Sequence, residues 1–132
     1  MGGSTDLDYL LREASPTLDS NNYVFVCRPA SYGDHAEWQP VASFAESEGL
    51  TLIIRQEIAD AHALSYDGIF KRITLQVHSS LNAVGLTARF TQRLAANNIS
   101  ANVFAAYYHD HIFVPLPDAQ RAMTALATLA EQ

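Results

Sequence analysis

Lys71-Arg72-Ile73-Thr74-Leu75-Gln76-Val77-His78-Ser79-Ser80-Leu81-Asn82-Ala83-Val84-Gly85 is the stretch on which the reading of the chain turns. Ile73, Leu75 and Val77 alternate with Arg72, Thr74, Gln76 and His78, so a strand with one covered face is predicted from Lys71 to His78. Ser79 to Asn82 break the alternation. A helix is expected from about Ala83 to Asn97, with Val84, Ala88, Thr91 and Ala95 on one stripe and Phe90 and Leu94 beside it. Ala101 to Ala106 and His111 to Leu116 then read as strands joined by the tight connection Tyr107-Tyr108-His109-Asp110. Pro117-Asp118 opens a last helix in which Ala119, Ala122, Met123, Leu126, Leu129 and Ala130 follow helical spacing.

The resulting order is β-α-β-β-α. A strand, helix, strand passage makes a right-handed crossover with parallel strands, and a tight hairpin is antiparallel, so the sheet is mixed with its helices on one face. A ferredoxin-like βαββαβ unit has one more strand after the last helix. None is legible beyond Ala130, and the missing edge is expected from the first half of the chain or from a second subunit.

Upstream the pattern is weaker. Ser4 or Thr5 caps an expected helix through Leu7, Leu10, Leu11 and Ala14, which Ser15-Pro16 stops. Asp19-Ser20-Asn21-Asn22 reads as a turn, Tyr23 to Arg28 as a strand, and Pro29 to Gln39 as a surface loop. Pro40 is expected to start a helix through Val41, Phe44 and Ala45 that ends at Gly49. Leu50 to Arg55 reads as a strand, Glu57 to Ala63 as a short helix, and Ser65-Tyr66-Asp67-Gly68 as a turn that divides the chain into halves, 1–67 and 68–132.

Composition bounds the function. With 132 residues, 48% hydrophobic and 17% charged, the chain can build one core or two small fused ones, which rules out disorder and a fibrous repeat. Its net charge of -6 opposes a polyanionic partner, so no nucleic acid is expected. A lone cysteine, Cys27, forms no internal disulfide and behaves as a small apolar residue; no apolar run spans a membrane and no leader is legible, so the expected location is cytoplasmic. There is no P-loop, G-x-G-x-x-G or G-x-S-x-G pattern, and a Ser79, His78, Asp110 triad lacks the strained elbow such chemistry uses. No enzyme and no cofactor are expected.

Two constellations stand out. The Ser79-Ser80-Leu81-Asn82-Ala83-Val84-Gly85 turn ends a strand and starts a helix, where backbone N–H groups and the positive helix end suit a carboxylate. Such a charge is worth about 0.3 to 1 kcal/mol when exposed and up to about 2 when partly buried. Ser79, Ser80 or Asn82 would also cap those groups, and both readings stay open. In His109-Asp110-His111, the two imidazoles share a strand face and could chelate a metal, but His78 is the only other histidine near them in this topology; a solvated hairpin turn is the plain alternative. The crossover puts the turn and the hairpin at the same end of the sheet, where N–H donors and the Asp110 carboxylate together suit a zwitterion.

Ile73 to Ala88, together with Tyr107-Tyr108-His109-Asp110-His111-Ile112-Phe113-Val114-Pro115, resembles a family of small bacterial tandem ACT-domain proteins, and Gly49-Leu50-Thr51-Leu52-Ile53 and Tyr23-Val24-Phe25 look like the same family. The resemblance implies an α+β chain of two ACT-like, ferredoxin-like halves and regulatory binding of a small metabolite, an amino acid. It also implies a homodimer. In cytosolic arginine sensors, whose ACT units are similar, the matching hairpin carries an acidic residue, so Asp110 would take a ligand's cationic group while His109 and His111 shape the pocket wall. Many amino-acid-binding ACT domains have a Pro-Gly pair after the first strand; here Ala83-Val84-Gly85 keeps the glycine alone. The competing classes are an interaction module with a vestigial pocket, working through its sheet edges, and a metal-dependent enzyme using His109 and His111.

Overall fold

The computed structural model describes residues 15–75 and 85–129. Along the chain run β1 (Pro16–Arg28), a 3-10 turn (Ala36–Trp38), β2 (Ala42–Glu46), β3 (Gly49–Arg55), α1 (Gln56–Ala61), β4 (Phe70–Leu75), α2 (Leu86–Ala96), β5 (Asn102–Ala105), β6 (Asp110–Pro115), a second 3-10 turn (Leu116–Asp118) and α3 (Ala119–Ala127). They form two compact units. One takes the chain from Lys71 onward together with the part up to Ser20, and the other is Asn21–Phe70.

In the unit from Lys71 onward the strand order is β1-β4-β6-β5, and β5 pairs antiparallel with β6, Val103 opposite Ile112 and Ala105 opposite Asp110. The expected β-α-β-β-α order is present, with β6 lying between the two strands of the crossover. Ile73, Leu75, Ile112 and Val114 turn one sheet face to Leu86, Phe90 and Leu94 of α2 and to Ala122, Ala125 and Leu126 of α3. Leu18 of β1 packs on the same core. The α2 stripe is therefore out of phase with the expected one: Ala88 and Ala95 are exposed, because the large Leu86, Phe90 and Leu94, spaced by four, decide which face is buried.

The strand β1 overturns the expected turn at Asp19-Ser20-Asn21-Asn22. These polar residues lie within one continuous strand because neighbours satisfy them: Arg72 Nη2 donates to Asp19 Oδ2 at 2.6 Å, Lys71 Nζ donates to the Ser20 carbonyl at 2.7 Å, and Asn22 Nδ2 donates to Gln56 Oε1 at 3.3 Å. Turn propensity yields when the partners come from elsewhere in the chain.

In Asn21–Phe70 the order is β2-β3-β1, with β3 antiparallel to both neighbours. The expected helix from Pro40 to Gly49 is instead β2 and the turn into β3. Phe44 is 65% exposed, so Val41, Phe44 and Ala45 form no covered face, and β2 is an edge strand. Gly49 belongs to the hairpin rather than to a helix end: at φ +152° a Cβ there would stand 2.8 Å from the Arg28 carbonyl oxygen and 2.8 Å from Cys27 Sγ, which is itself exposed. The loop through residues 29–39 holds the Ala36–Trp38 turn between two left-handed residues, His35 at φ 66° and Gln39 at φ 52°. Trp38 drops into the core of Val24, Val26, Leu50, Leu52, Ile54 and Ala59. The strand at 50–55, the short helix after it and the last helix are as expected. The expected helix at 7–14 lies outside the described residues.

Candidate functional site

The β5–β6 hairpin is closed by the Ala106 amide donating to the His109 carbonyl at 3.1 Å. Pairing Ala105 with Asp110 and Phe104 with His111 sets which way each side chain goes. Asp110 shares the face of Ile112 and Val114, the side on which α2 and α3 pack. His111 lies on the opposite face, where its Nδ1 is 2.9 Å from Thr74 Oγ1 at the end of β4. Arg72 is two residues before Thr74 on that face, in an ion pair with Asp19 at 2.6 Å. The histidines share a face as expected, with ring centroids 6.5 Å apart at 81°. The structure thus separates Asp110, on the helix side, from the two-residue-spaced imidazoles on the other.

Partial burial raises the Asp110 carboxyl above its ordinary value of 3.8, and His109 partly offsets this. Burial first, then Arg72 and His109, push His111 below 6.5. No ion pair reaches Asp110 among the described residues, whereas Asp19 has Arg72. His109 Nδ1 is buried with no hydrogen-bond partner among them. At the tip, Tyr107 and Tyr108 are exposed, their rings edge to face at 5.0 Å.

Ser79, Ser80, Leu81, Asn82, Ala83 and Val84, with His78, lie outside the described residues. Gly85 is described: it is the N-cap of α2 at φ +88°, a conformation suited to glycine, and it has no side chain to bond the first turn's amides. The Arg89 amide donates to its carbonyl at 3.1 Å. Arg93 meets Thr128 and Arg121 meets Asn97, so α2 runs antiparallel to α3; as α3 follows β6 and packs back on it, Gly85 at the start of α2 and Asp110 at the start of β6 belong to the same end of this unit. Sequence reasoning passed over Thr74, Arg72 and Asp19. Alternation on β4 marks Arg72 and Thr74 as one face, but nothing local connects them with Asp19, 53 residues away from Arg72.

No cluster of three or more His, Cys, Asp or Glu side chains able to hold a metal occurs among the described residues. What the hairpin offers is a half-buried carboxylate on the helix side and a cation, a hydroxyl and imidazoles on the other.

Two models described as ACT domain match the chain in tandem, over residues 2–71 and 71–128. The chain belongs to the ACT-domain family. ACT domains are typically ligand-binding regulatory modules of amino-acid metabolism, and the α+β, ferredoxin-like fold expected of this chain is the one observed. Among solved structures, a Vibrio cholerae protein of unknown function, described as a possible transport protein, is 46% identical with a TM-score of 0.87, covering 96% of this chain and 97% of that one. An Agrobacterium tumefaciens protein is 16% identical over 89% of this chain and 90% of its own, with a TM-score of 0.75. The ligand-free regulatory subunit of aspartate kinase from Thermus thermophilus shares the fold at 9% identity, TM-score 0.61, covering 89% of this chain and 98% of that one. No curated protein matches. Among the described residues, no helix of this ACT chain is long and apolar enough to cross a membrane.

Proposed function

We propose that this tandem ACT chain, with halves 1–67 and 68–132, is a cytoplasmic, homodimeric regulatory protein without catalytic activity that binds an amino acid. The observation that carries this reading is Asp110: a half-buried carboxylate on the helix side of the hairpin, raised in pKa by burial and without an ion pair among the described residues. A carboxylate in that condition is relieved by a cation brought to it, and an amino acid's ammonium or guanidinium group is such a cation. The amides that follow Gly85 supply the complementary end for the ligand's carboxylate. Ser79 to Val84 are the further ligand-binding residues of this proposal, and His109 and His111 tune the hairpin from its other face.

A thermal-shift screen of the full chain against the common amino acids tests it. A ligand at about 100 times its Kd adds about 2.7 kcal/mol to stability. Asp110→Asn should abolish the shift while preserving the fold, because the amide keeps the shape and removes the charge. A shift that survives Asp110→Asn places the ligand elsewhere. If no amino acid stabilises the wild type, the interaction module becomes the better reading, and its surfaces are the aromatic side chains left exposed, Tyr32 in the loop after β1, Phe44 on the edge strand β2 and Tyr107 and Tyr108 at the hairpin tip.

A further inference from the structure

On the solvent side of the unit from Lys71 onward, α2 and α3 leave between them a cavity of about 400 Å³ lined by Arg93, Asn97, Gln120, Arg121, Thr124 and Thr128, with Ala125 at its base. The two arginines brace the helices reciprocally. Arg93 Nη1 donates to Thr128 Oγ1 at 2.7 Å and to the Ala125 carbonyl at 3.4 Å, near the end of α3. Arg121 Nη1 donates to the Asn97 carbonyl at 2.8 Å, at the end of α2. Each guanidinium thereby caps the other helix's C-terminal carbonyls, which fixes its plane along the cavity wall.

Bracing uses only part of what these groups offer. A guanidinium has five N–H donors in a rigid fork. Arg93 Nη2 is buried with no acceptor among the described residues, so this side of the fork is closed to the cavity and Arg93 contributes its fixed positive charge there. Arg121 gives one further contact, to Asp118 Oδ1 at 2.9 Å, and among the described residues neither Asp nor Glu lines the cavity. Thr124, Gln120 and Asn97 add neutral donors around the same space. Two of the chain's eight basic residues thus face one cavity in a molecule whose net charge is -6. A partly unspent fork beside a second fixed positive charge calls for an anion with more than one negative charge and several oxygens.

We propose that this groove is a binding site for a phosphate-type oxyanion, either inorganic phosphate or the phosphate group of a small metabolite, separate from the hairpin and independent of whether an amino acid binds there. The oxyanion accepts from the exposed guanidinium of Arg121 and from the hydroxyl and amide groups of Thr124 and Gln120, beside the fixed positive charge of Arg93.

The test is a chemical-shift titration of the full chain with inorganic phosphate and, in parallel, with glycerol 3-phosphate, against sodium chloride at matched ionic strength. Saturable shifts are expected at Asn97, Arg121, Thr124 and Thr128. Arg121→Gln, at an exposed side chain whose loss leaves the core untouched, should weaken binding about tenfold or more, the value of a charge-assisted hydrogen bond. Arg93→Lys keeps the charge and a donor for Thr128 but loses the fork that fixes that charge in place, and it should weaken binding in the same direction. Tighter binding of glycerol 3-phosphate identifies a phosphorylated metabolite as the occupant, and equal or tighter binding of inorganic phosphate identifies the free ion. The proposal is overturned if neither anion produces a saturable shift beyond chloride at millimolar concentration, or if both variants bind as the wild type does.

Discussion

From Lys71 onward, helices of eleven and nine residues cover the sheet, and Leu86, Phe90 and Leu94 of one share a core with Ala122, Ala125 and Leu126 of the other. In Asn21–Phe70 the one α-helix has six residues, and the connection from β1 to β2 is an irregular strap whose side chain in the core is Trp38. Trp38 is 5% exposed, stacked on His35 at 4.0 Å, with His62 at 5.5 Å. The difference teaches that a sheet face can be covered by a repeated stripe or by irregular segments built around one large aromatic plug, here Trp38 with Ile58, Ala59, Leu64 and Tyr66. A stripe spreads its contribution over several residues and writes a period into the sequence, whereas a plug concentrates it and writes none.

The largest expected effect tests whether the striped unit is self-sufficient. Its core includes Leu18, and Lys71 and Arg72 hold Asp19 and Ser20 of β1, all supplied from before residue 21. Residues 66–132 expressed alone are therefore expected to aggregate or to pair through the exposed edge of β4. A monomeric fragment that melts cooperatively would show that β1 is dispensable, and the contrast between the units would have to be redrawn.

Next in size is a matched pair of truncations. Trp38→Ala and Phe90→Ala should each cost about 3–5 kcal/mol by denaturant unfolding. Their distribution should differ: in Trp38→Ala, amide exchange should rise in β2 and β3, while in Phe90→Ala it should rise in α2 and α3. Uniform loss of protection in both would mean that plug and stripe are not separate devices. A sharper variant is Trp38→Phe. Trp38 Nε1 is buried with no acceptor among the described residues, so removing it offsets part of the lost packing, and the net cost should stay near 1 kcal/mol.

This contrast also accounts for what the sequence disclosed. The strands at Ile73, the β5–β6 hairpin and the last helix were legible because alternation and helical spacing are local properties of one stripe or one face. Asp19 to Asn22 were not, since the groups that make them strand residues, Lys71, Arg72 and Gln56, lie far along the chain. Phe44 misled in the other direction: an exposed aromatic residue on an edge strand carries the same letter as a buried one on a helix. At the candidate site, the hairpin itself could be located from Tyr107 to His111. That Asp110 and His111 go to opposite faces follows from alternation along the strand, but that Asp110 takes the helix side follows only from the packing of Ile112 and Val114 on α2 and α3.

The smallest expected effect is a pH dependence at the hairpin, and its sign separates the two faces. His111 has its folded pKa below 6.5, from burial, Arg72 and His109 in that order, so between the folded value and 6.5 the unfolded chain binds the proton more readily. Stability therefore rises with pH through that window and is lost as pH falls through it. Asp110 behaves oppositely: its folded pKa is raised above 3.8 by burial, so the native state takes up the proton first, and stability falls as pH rises from 3.8 through the folded value. Replacing His111 with Gln leaves Asp110 and its slope in place and keeps a polar group opposite Thr74 Oγ1. The variant should lose less stability than the wild type as the solution is brought from pH 7 toward pH 5, in paired melting curves. A ligand ammonium at Asp110 would reverse that residue's slope by favouring the carboxylate, leaving the His111 difference unchanged. A difference between variant and wild type that does not vary with pH, or a His111 ring that titrates at or above 6.5 by NMR, would show that the face carrying Arg72 and Thr74 does not hold this imidazole neutral.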